Sequence, residues 1–238
     1  MDGDYHLMIK KYDTKSIDLG IYFISYNIMK YEDFIHMRVP GDGACFFHSL
    51  AAIISLEGDI PINQTLKQTD KNRNTLSKKL RKQCVDWLEQ NLDYKIAQID
   101  RTIGEEIEEN IAHCANNNCG NYNTVPEYLK YMRKNKSYAG QIEIYAMSYY
   151  LGRSIRVFIR NKGKFQSSAL GFEIGLNPDI MDDIHIYHNL GEQNIKNNEH
   201  HFEPLYPKAK AKRKVKGIVK NKENNRTNRT NRTNRTNR

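Results

Sequence analysis

No stretch of this 238-residue chain stays apolar long enough to cross a bilayer. Asp2 and Asp4 follow Met1, where a secretory leader would carry basic residues and then an apolar run. A protein that neither spans a membrane nor is secreted is therefore expected. Cysteine is scarce as well. Cys45, Cys84, Cys114 and Cys119 suit a reducing compartment better than a disulfide scaffold. Acidic residues almost vanish from the C-terminal end, where Lys208–Arg238 holds 13 Lys and Arg against one acid, Glu223. That segment carries +12 of a total of +9, which leaves −3 for the rest, so the basicity belongs to a tail and not to the body. The tail is equally poor in apolar residues and ends in Asn-Arg-Thr repeats, a composition expected to be disordered. It lacks interleaved aromatics for stacking on bases, so any nucleic-acid binding there would be non-specific. A nuclear-import signal is the other use of such a run, and the expected location is cytoplasmic, or nuclear through the tail.

What the chain does have is a turn followed at once by an apolar helix. Val39-Pro40-Gly41-Asp42-Gly43-Ala44 supplies turn chemistry, and Phe46, Phe47, Leu50, Ala51, Ile53 and Ile54 recur at helical spacing. Cys45 sits at the junction. A thiol at a helix N-terminus meets unpaired backbone N–H groups and the positive end of the helix dipole, and both favour the nucleophilic thiolate. The same N–H groups could hold an oxyanion. A buried core cysteine, the plainer reading, has no need of Gly-Asp-Gly before it.

The remaining pattern alternates helix and strand. Leu76, Leu80, Cys84, Trp87, Leu88 and Leu92 predict an amphipathic helix after a polar loop over 57–75, with Cys84 on its apolar stripe. Ile103, Ile107 and Ile111 predict another. His113, Cys114 and Cys119 near its end lack the fourth ligand and the spacing of a closed zinc site, so no metal or other cofactor is expected. Thr124 and Glu127 form a capping box with Pro126 in the first turn. Ile142, Ala146 and Tyr149 predict a helix stopped by Gly152, and Ile155–Ile159 a strand. Leu170–Ile174 and the alternation of Ile184, Ile186 and His188 predict two more strands. Near the N-terminus, residues 17–24 read as a strand and Tyr26–Phe34 as a short helix.

Asp42-Gly43-Ala44-Cys45-Phe46-Phe47-His48 resembles the active-site loop of the ovarian-tumour (OTU) family of deubiquitinating cysteine proteases. His201-Phe202 resembles the His-aromatic pair on that family's closing strand, and the helix and strand over 137–158 resemble the unit it places between the two. The resemblance runs from about Arg38 to Leu205. It implies an α/β fold with a central sheet flanked by helices, divided as a 1–35 lead-in, a 36–207 protease domain and the 208–238 tail. It also implies a thiol hydrolase that cleaves isopeptide bonds after the C-terminal glycine of ubiquitin, with ubiquitin or ubiquitin-like conjugates as partners. The Asn-, Lys-, Ile- and Tyr-heavy wording suggests an AT-rich genome and a virus-encoded member. A ubiquitin-binding module without catalysis, and a nucleic-acid-binding protein working through the tail, are the alternatives.

The nucleophile needs a base. His48 lies close to Cys45 but on the same helix, and in the family that position is basic without being the base. His200 and His201 cannot share a face of one strand. With Phe202 pointing into the core, His201 points the other way together with Glu203, so His201 is assigned as the base; a one-residue slip in register would exchange it for His200. His6, His36, His113, His185 and His188 carry no motif and read as structural or exposed. Asp42 either stabilises the turn or braces the oxyanion loop, and the resemblance implies an active role. Family members often carry Asp or Asn two residues after the histidine. Glu203 occupies that place with a longer side chain and stays outside the core set. The expected catalytic residues are Asp42, Cys45 and His201.

Overall fold

In a computed structural model of the chain, the residues described are 30–58, 70–96, 99–117, 122–161, 164–168, 182–189 and 201–211. The strands expected over 17–24 and Leu170–Ile174, His200, Cys119 and the repeats of the basic tail lie outside them.

The apolar run after the glycine turn forms α1, Cys45–Glu57. Every residue from Cys45 to Ile53 is buried, so α1 is a central helix and not an amphipathic surface one. It packs on α2, Asp70–Gln90, through the stripe Leu80, Cys84, Val85 and Leu88. Of the polar loop expected over 57–75, residues 59–69 lie outside the described residues, and 70–75 are already helical, since α2 begins at Asp70. Two short strands, β2 (Lys95–Ile96) and β3 (Arg101–Thr102), lead into α3, Ile103–Asn117, which turns Ile103, Ile107 and Ile111 inward. Helix α4, Val125–Met132, starts as expected. The Thr124 hydroxyl accepts from the Glu127 N–H at 3.4 Å, although the Glu127 carboxylate reaches back to the Asn123 N–H at 2.8 Å instead of to that of Thr124. Helix α5, Gln141–Leu151, is buried from Ile142 to Ser148 and stops at Gly152, whose φ of +62° is the left-handed value a helix-ending glycine supplies.

The main sheet has the order β1-β7-β6-β4-β5, formed by β1 (Phe34–His36), β7 (His201–Pro207), β6 (Ile184–Asn189), β4 (Ile155–Asn161) and β5 (Lys164–Ser167). Only the β4–β6 pair is parallel. The short N-terminal helix expected through Phe34 is instead a 3-10 turn at Tyr31–Asp33 followed by β1, since Phe34 pairs with Pro207 and buries its ring. Strand β5 carries no apolar alternation and was not expected from the sequence.

Alternation divides the sheet's side chains between two faces. Val157, Ile186 and Phe202 join α1, α2 and α5 in the main core. Phe34, Phe158, Tyr187 and Leu205 form a second, aromatic cluster, with Tyr31 and Phe165 against it. Packing extends past the compositional boundary at 207: Lys210 meets Glu57 at 2.9 Å, and Ala211 is buried with Leu56 and Tyr206. Cys45 and Cys84 are free thiols, whereas Cys114 is disulfide-bonded, a departure from the all-thiol expectation. Among the described residues, no helix is long and apolar enough to cross a membrane, and no cluster of His, Cys, Asp and Glu could hold a metal ion.

The aromatic cluster contains one titratable group that will respond to acid. His185 is fully buried, stacked on Phe158 with ring centroids 5.9 Å apart and set against Phe34 at 5.1 Å. Burial, reinforced by the positive charges of Arg156, Lys210 and Arg153, lowers its pKa from 6.5 to about 3. The folded state therefore holds a neutral ring while the unfolded chain takes up a proton below pH 6.5, so this contribution is full above 6.5 and is lost as pH falls toward 3. Stability should decline over that window by up to ~1.4 kcal/mol per pH unit from this residue. Urea unfolding of His185→Leu between pH 4 and 6 should give a correspondingly shallower slope; equal slopes would refute the assignment.

Candidate active site

The turn before α1 is built around a backbone shape that a side chain resists. Gly43 has φ +80°, and a Cβ there would lie 2.1 Å from the Lys136 carbonyl oxygen, so both conformation and close approach require glycine. Its own carbonyl accepts from Arg81 at 3.1 Å. Arg81 comes from α2, is 2% exposed, and also donates to the carbonyls of Met132, Asn135 and Ser137 at 3.1, 3.4 and 2.7 Å. Its guanidinium lies 4.5 Å above the Phe47 ring. One planar, permanently charged fork thus ties the turn to the segment after α4.

Asp42 braces the same turn from outside. Its Oδ1 accepts from the Ala44 N–H at 3.1 Å, and its carboxylate lies 3.3–3.4 Å from His48 Nε2. His48 is buried, and burial lowers its pKa despite the Asp42 charge. His48 therefore braces Asp42 as a neutral ring. Asp42 contacts neither Cys45 nor His201 by a hydrogen bond among the described residues.

Cys45 is 2% exposed at the first position of α1, packed between the turn and β7. The Phe202 N–H points at its sulfur across 3.5 Å, and Ser49, one turn on, donates to both the Cys45 carbonyl at 2.8 Å and the Phe202 carbonyl at 3.1 Å. The helix start was expected to favour thiolate. The structure shows the opposite balance: burial raises the thiol pKa above its ordinary value, the N–H groups of Phe202 and Phe46 pull it down by less, and Asp42 adds a push upward. The resting sulfur is a thiol.

His201 follows the expected face. Phe202 is buried against Phe46, with ring centroids 5.7 Å apart, and His201 and Glu203 share the opposite side of β7. His201 Nε2 lies 3.1 Å from the Val39 carbonyl and 3.8 Å from Glu203 Oε1. A carbonyl only accepts, so Nε2 carries a hydrogen, and a proton from sulfur would have to go to Nδ1. No hydrogen bond joins His201 to Cys45 in this state. Glu203 is buried, and its Oε2 lies 2.7 Å from His36 Nε2, whose Nδ1 lies 2.5 Å from the Tyr31 hydroxyl.

The structure thus brings Cys45 to the backbone of the residue beside His201, and it sets Asp42 against His48. Arg81, Ser49, Tyr31 and His36 were not singled out from the sequence. The only advance sign was Arg81, a charge beside the apolar stripe of α2, and such charges usually snorkel to solvent. Replacing Arg81 with Met should leave several buried carbonyls without a donor and lower stability by ~3 kcal/mol or more. Chemical denaturation measures that loss, and an Arg81→Met protein as stable as the wild type would show the turn to be held by other contacts.

Several solved structures are similar to this chain. The Hazara virus OTU bound to ubiquitin is 18% identical, with a TM-score of 0.45, covering 75% of this chain and 85% of that one. The viral OTU domain protease from Farallon virus is 16% identical, with a TM-score of 0.47, covering 75% and 88%. An OTU deubiquitinase from Wolbachia pipientis wMel is 17% identical, with a TM-score of 0.43, covering 75% and 91%. A search of curated protein sequences returned no relative. The sequence model of the OTU-like cysteine proteases matches residues 40–202, over half of the chain, from the proline of the glycine turn to the phenylalanine that touches Cys45; the protein belongs to that family.

Proposed function

We propose that this protein is a deubiquitinase, a cysteine-type hydrolase acting on the isopeptide bond after the C-terminal glycine of ubiquitin. The observation that carries the reading is the contact between the Phe202 N–H and Cys45 Sγ, which sets the His201 backbone beside the one free thiol at a helix start. Family membership supports a thiol protease, and ubiquitin as substrate is the article of this proposal that needs testing.

In this mechanism His201 Nδ1 takes the Cys45 proton, giving a thiolate and an imidazolium. The thiolate adds to the isopeptide carbonyl, and backbone N–H groups of the 41–45 turn, which Asp42 braces, steady the oxyanion. The C–N bond breaks as His201 gives its proton to the departing lysine amine. The acyl group remains on sulfur as a thioester. His201, neutral again, then takes a proton from water, which attacks the thioester and releases the ubiquitin carboxylate together with the Cys45 thiol. The step needs no oxidant, reductant or metal. Ion-pair formation requires the imidazole to turn its Nδ1 to the sulfur, because in the resting state its Nε2 is engaged by Val39.

That engaged ring is also the observation that favours the second reading, a ubiquitin-binding module without catalysis. Ubiquitin carrying a C-terminal propargyl group separates the two. The deubiquitinase reading expects a covalent adduct with the wild type and none with Cys45→Ala, and cleavage of at least one di-ubiquitin linkage that Cys45→Ala abolishes. His201→Ala should lower kcat about a thousandfold. Binding without adduct or cleavage would establish the module instead.

A further inference from the structure

Glu203 is a buried carboxylate, and its direct hydrogen-bonding partner among the described residues is His36, on the neighbouring strand. A carboxylate accepts only, so His36 Nε2 donates to Glu203, and the other ring nitrogen, Nδ1, pairs with the Tyr31 hydroxyl. At the other end His201 Nε2–H faces Val39 and the second oxygen of Glu203. Glu203 is thus hydrogen-bonded to His36, while His201 keeps its hydrogen bond to the Val39 carbonyl and holds Nε2 3.8 Å from Glu203 Oε1.

We propose that Tyr31 and His36 are positioning residues for His201, acting through the Glu203 carboxylate. The proposal rests on the reading of His201 as the base of Cys45. It assigns work to a segment that precedes the family match, which begins at residue 40. Strand β1 is then part of the active site's support: it pairs with β7 at Phe34, Ile35 and His36, and the ladder continues from the Met37 N–H to the Pro204 carbonyl at 3.2 Å.

The surroundings fit a fixed clamp. The Tyr31 ring is held edge-on against His36, Phe165 and Tyr187, at centroid separations of 5.6, 5.5 and 6.2 Å, and Arg160 sits 4.8 Å over its face. Burial raises the Tyr31 pKa, with Arg160 and Arg38 opposing and Glu203 assisting, so the phenol keeps the proton it donates. Tyr187, the cross-strand partner of Glu203, also packs against His36, with ring centroids 5.6 Å apart. The titratable groups around Glu203 are thus His36 from β1, His201 from β7, Tyr187 from β6 and Tyr31 from the 3-10 turn, with Arg160 and Arg38 acting on Tyr31.

A positioned carboxylate at His201 Nε2 favours the imidazolium, and an imidazolium beside sulfur favours the thiolate. Losing the clamp should move the Cys45 titration upward. The test uses the full chain and measures iodoacetamide alkylation of Cys45 against pH by peptide mass spectrometry, alongside kcat and KM on a fluorogenic ubiquitin C-terminal amide. His36→Ala and Glu203→Gln should raise the alkylation inflection by on the order of one pH unit and lower kcat by about tenfold, with KM little changed. His36→Gln keeps an N–H toward Glu203 and should recover most of the loss, and Tyr31→Phe, which preserves the packing, should shift the inflection in the same direction by less. In a His201→Ala background none of these substitutions should move the curve further. An unshifted inflection in His36→Ala and Tyr31→Phe, or a shift that persists without His201, would overturn the proposal and leave a structural contact. Absence of ubiquitin cleavage by the wild type would instead sink the function proposed above, while the alkylation curves still decide the role of His36.

Discussion

The site depends on a joint between one helix and one strand. The Phe202 N–H approaches the Cys45 sulfur while the Phe202 carbonyl accepts from Ser49, so a single peptide unit of β7 is gripped from both sides by the first turn of α1. Phe46 and Phe202 pack beneath it. The joint fixes where a residue at 201 can be, because a strand gives its neighbour no freedom of face. The remaining structure keeps the joint in place. Arg81 holds the turn that starts the helix, and β6 and β1 flank the strand. A slip of one residue in β7 would exchange Phe202 for a histidine in the core and carry Glu203 away from His36, so the apolar packing and the buried ion contact specify the same register.

The polar side of β7 follows a different logic from the apolar side. Burying a carboxylate is expensive unless it is hydrogen-bonded, and Glu203 meets that requirement through His36 instead of through a basic residue. A lysine or arginine there would form a permanent ion pair and draw the charge away from His201. His36 binds one oxygen of Glu203 and pairs with the Tyr31 hydroxyl through its other nitrogen, so the second oxygen of Glu203 stays available to the ring on its other side. The longer side chain of Glu203 compared with Asp or Asn has a structural use here: one carboxylate spans two rings, on β1 and on β7.

Much of this was legible in the sequence, for reasons that can be named. The turn-to-helix junction at Cys45 is local, and the glycines announce it. The helix over 141–151 closes with Gly152 because a left-handed residue is needed there. The face of His201 follows from the period of a strand once Phe202 is placed inward. What could not be read was long-range. His36 looked like an unmotivated histidine because its partner is far along the chain at Glu203. Arg81 looked like a surface charge on an amphipathic helix, since only the fold brings four carbonyls to one end of it. Strand β5 was missed because Lys164–Ser167 takes its conformation from pairing with β4, not from its own alternation. The short helix expected through Phe34 lost to the sheet, where pairing with Pro207 and burial of the ring outweigh local preference.

The protonation of Cys45 was misjudged for an instructive reason. A helix N-terminus and unpaired N–H groups do act on the sulfur, and they act in the expected direction. Burial opposes them and prevails, because a thiolate enclosed by Phe46, the turn and β7 loses more hydration than a few N–H dipoles return. A reactive thiolate in this setting needs positive charge at short range, and in the mechanism proposed above His201 supplies it once it has taken the sulfur's own proton.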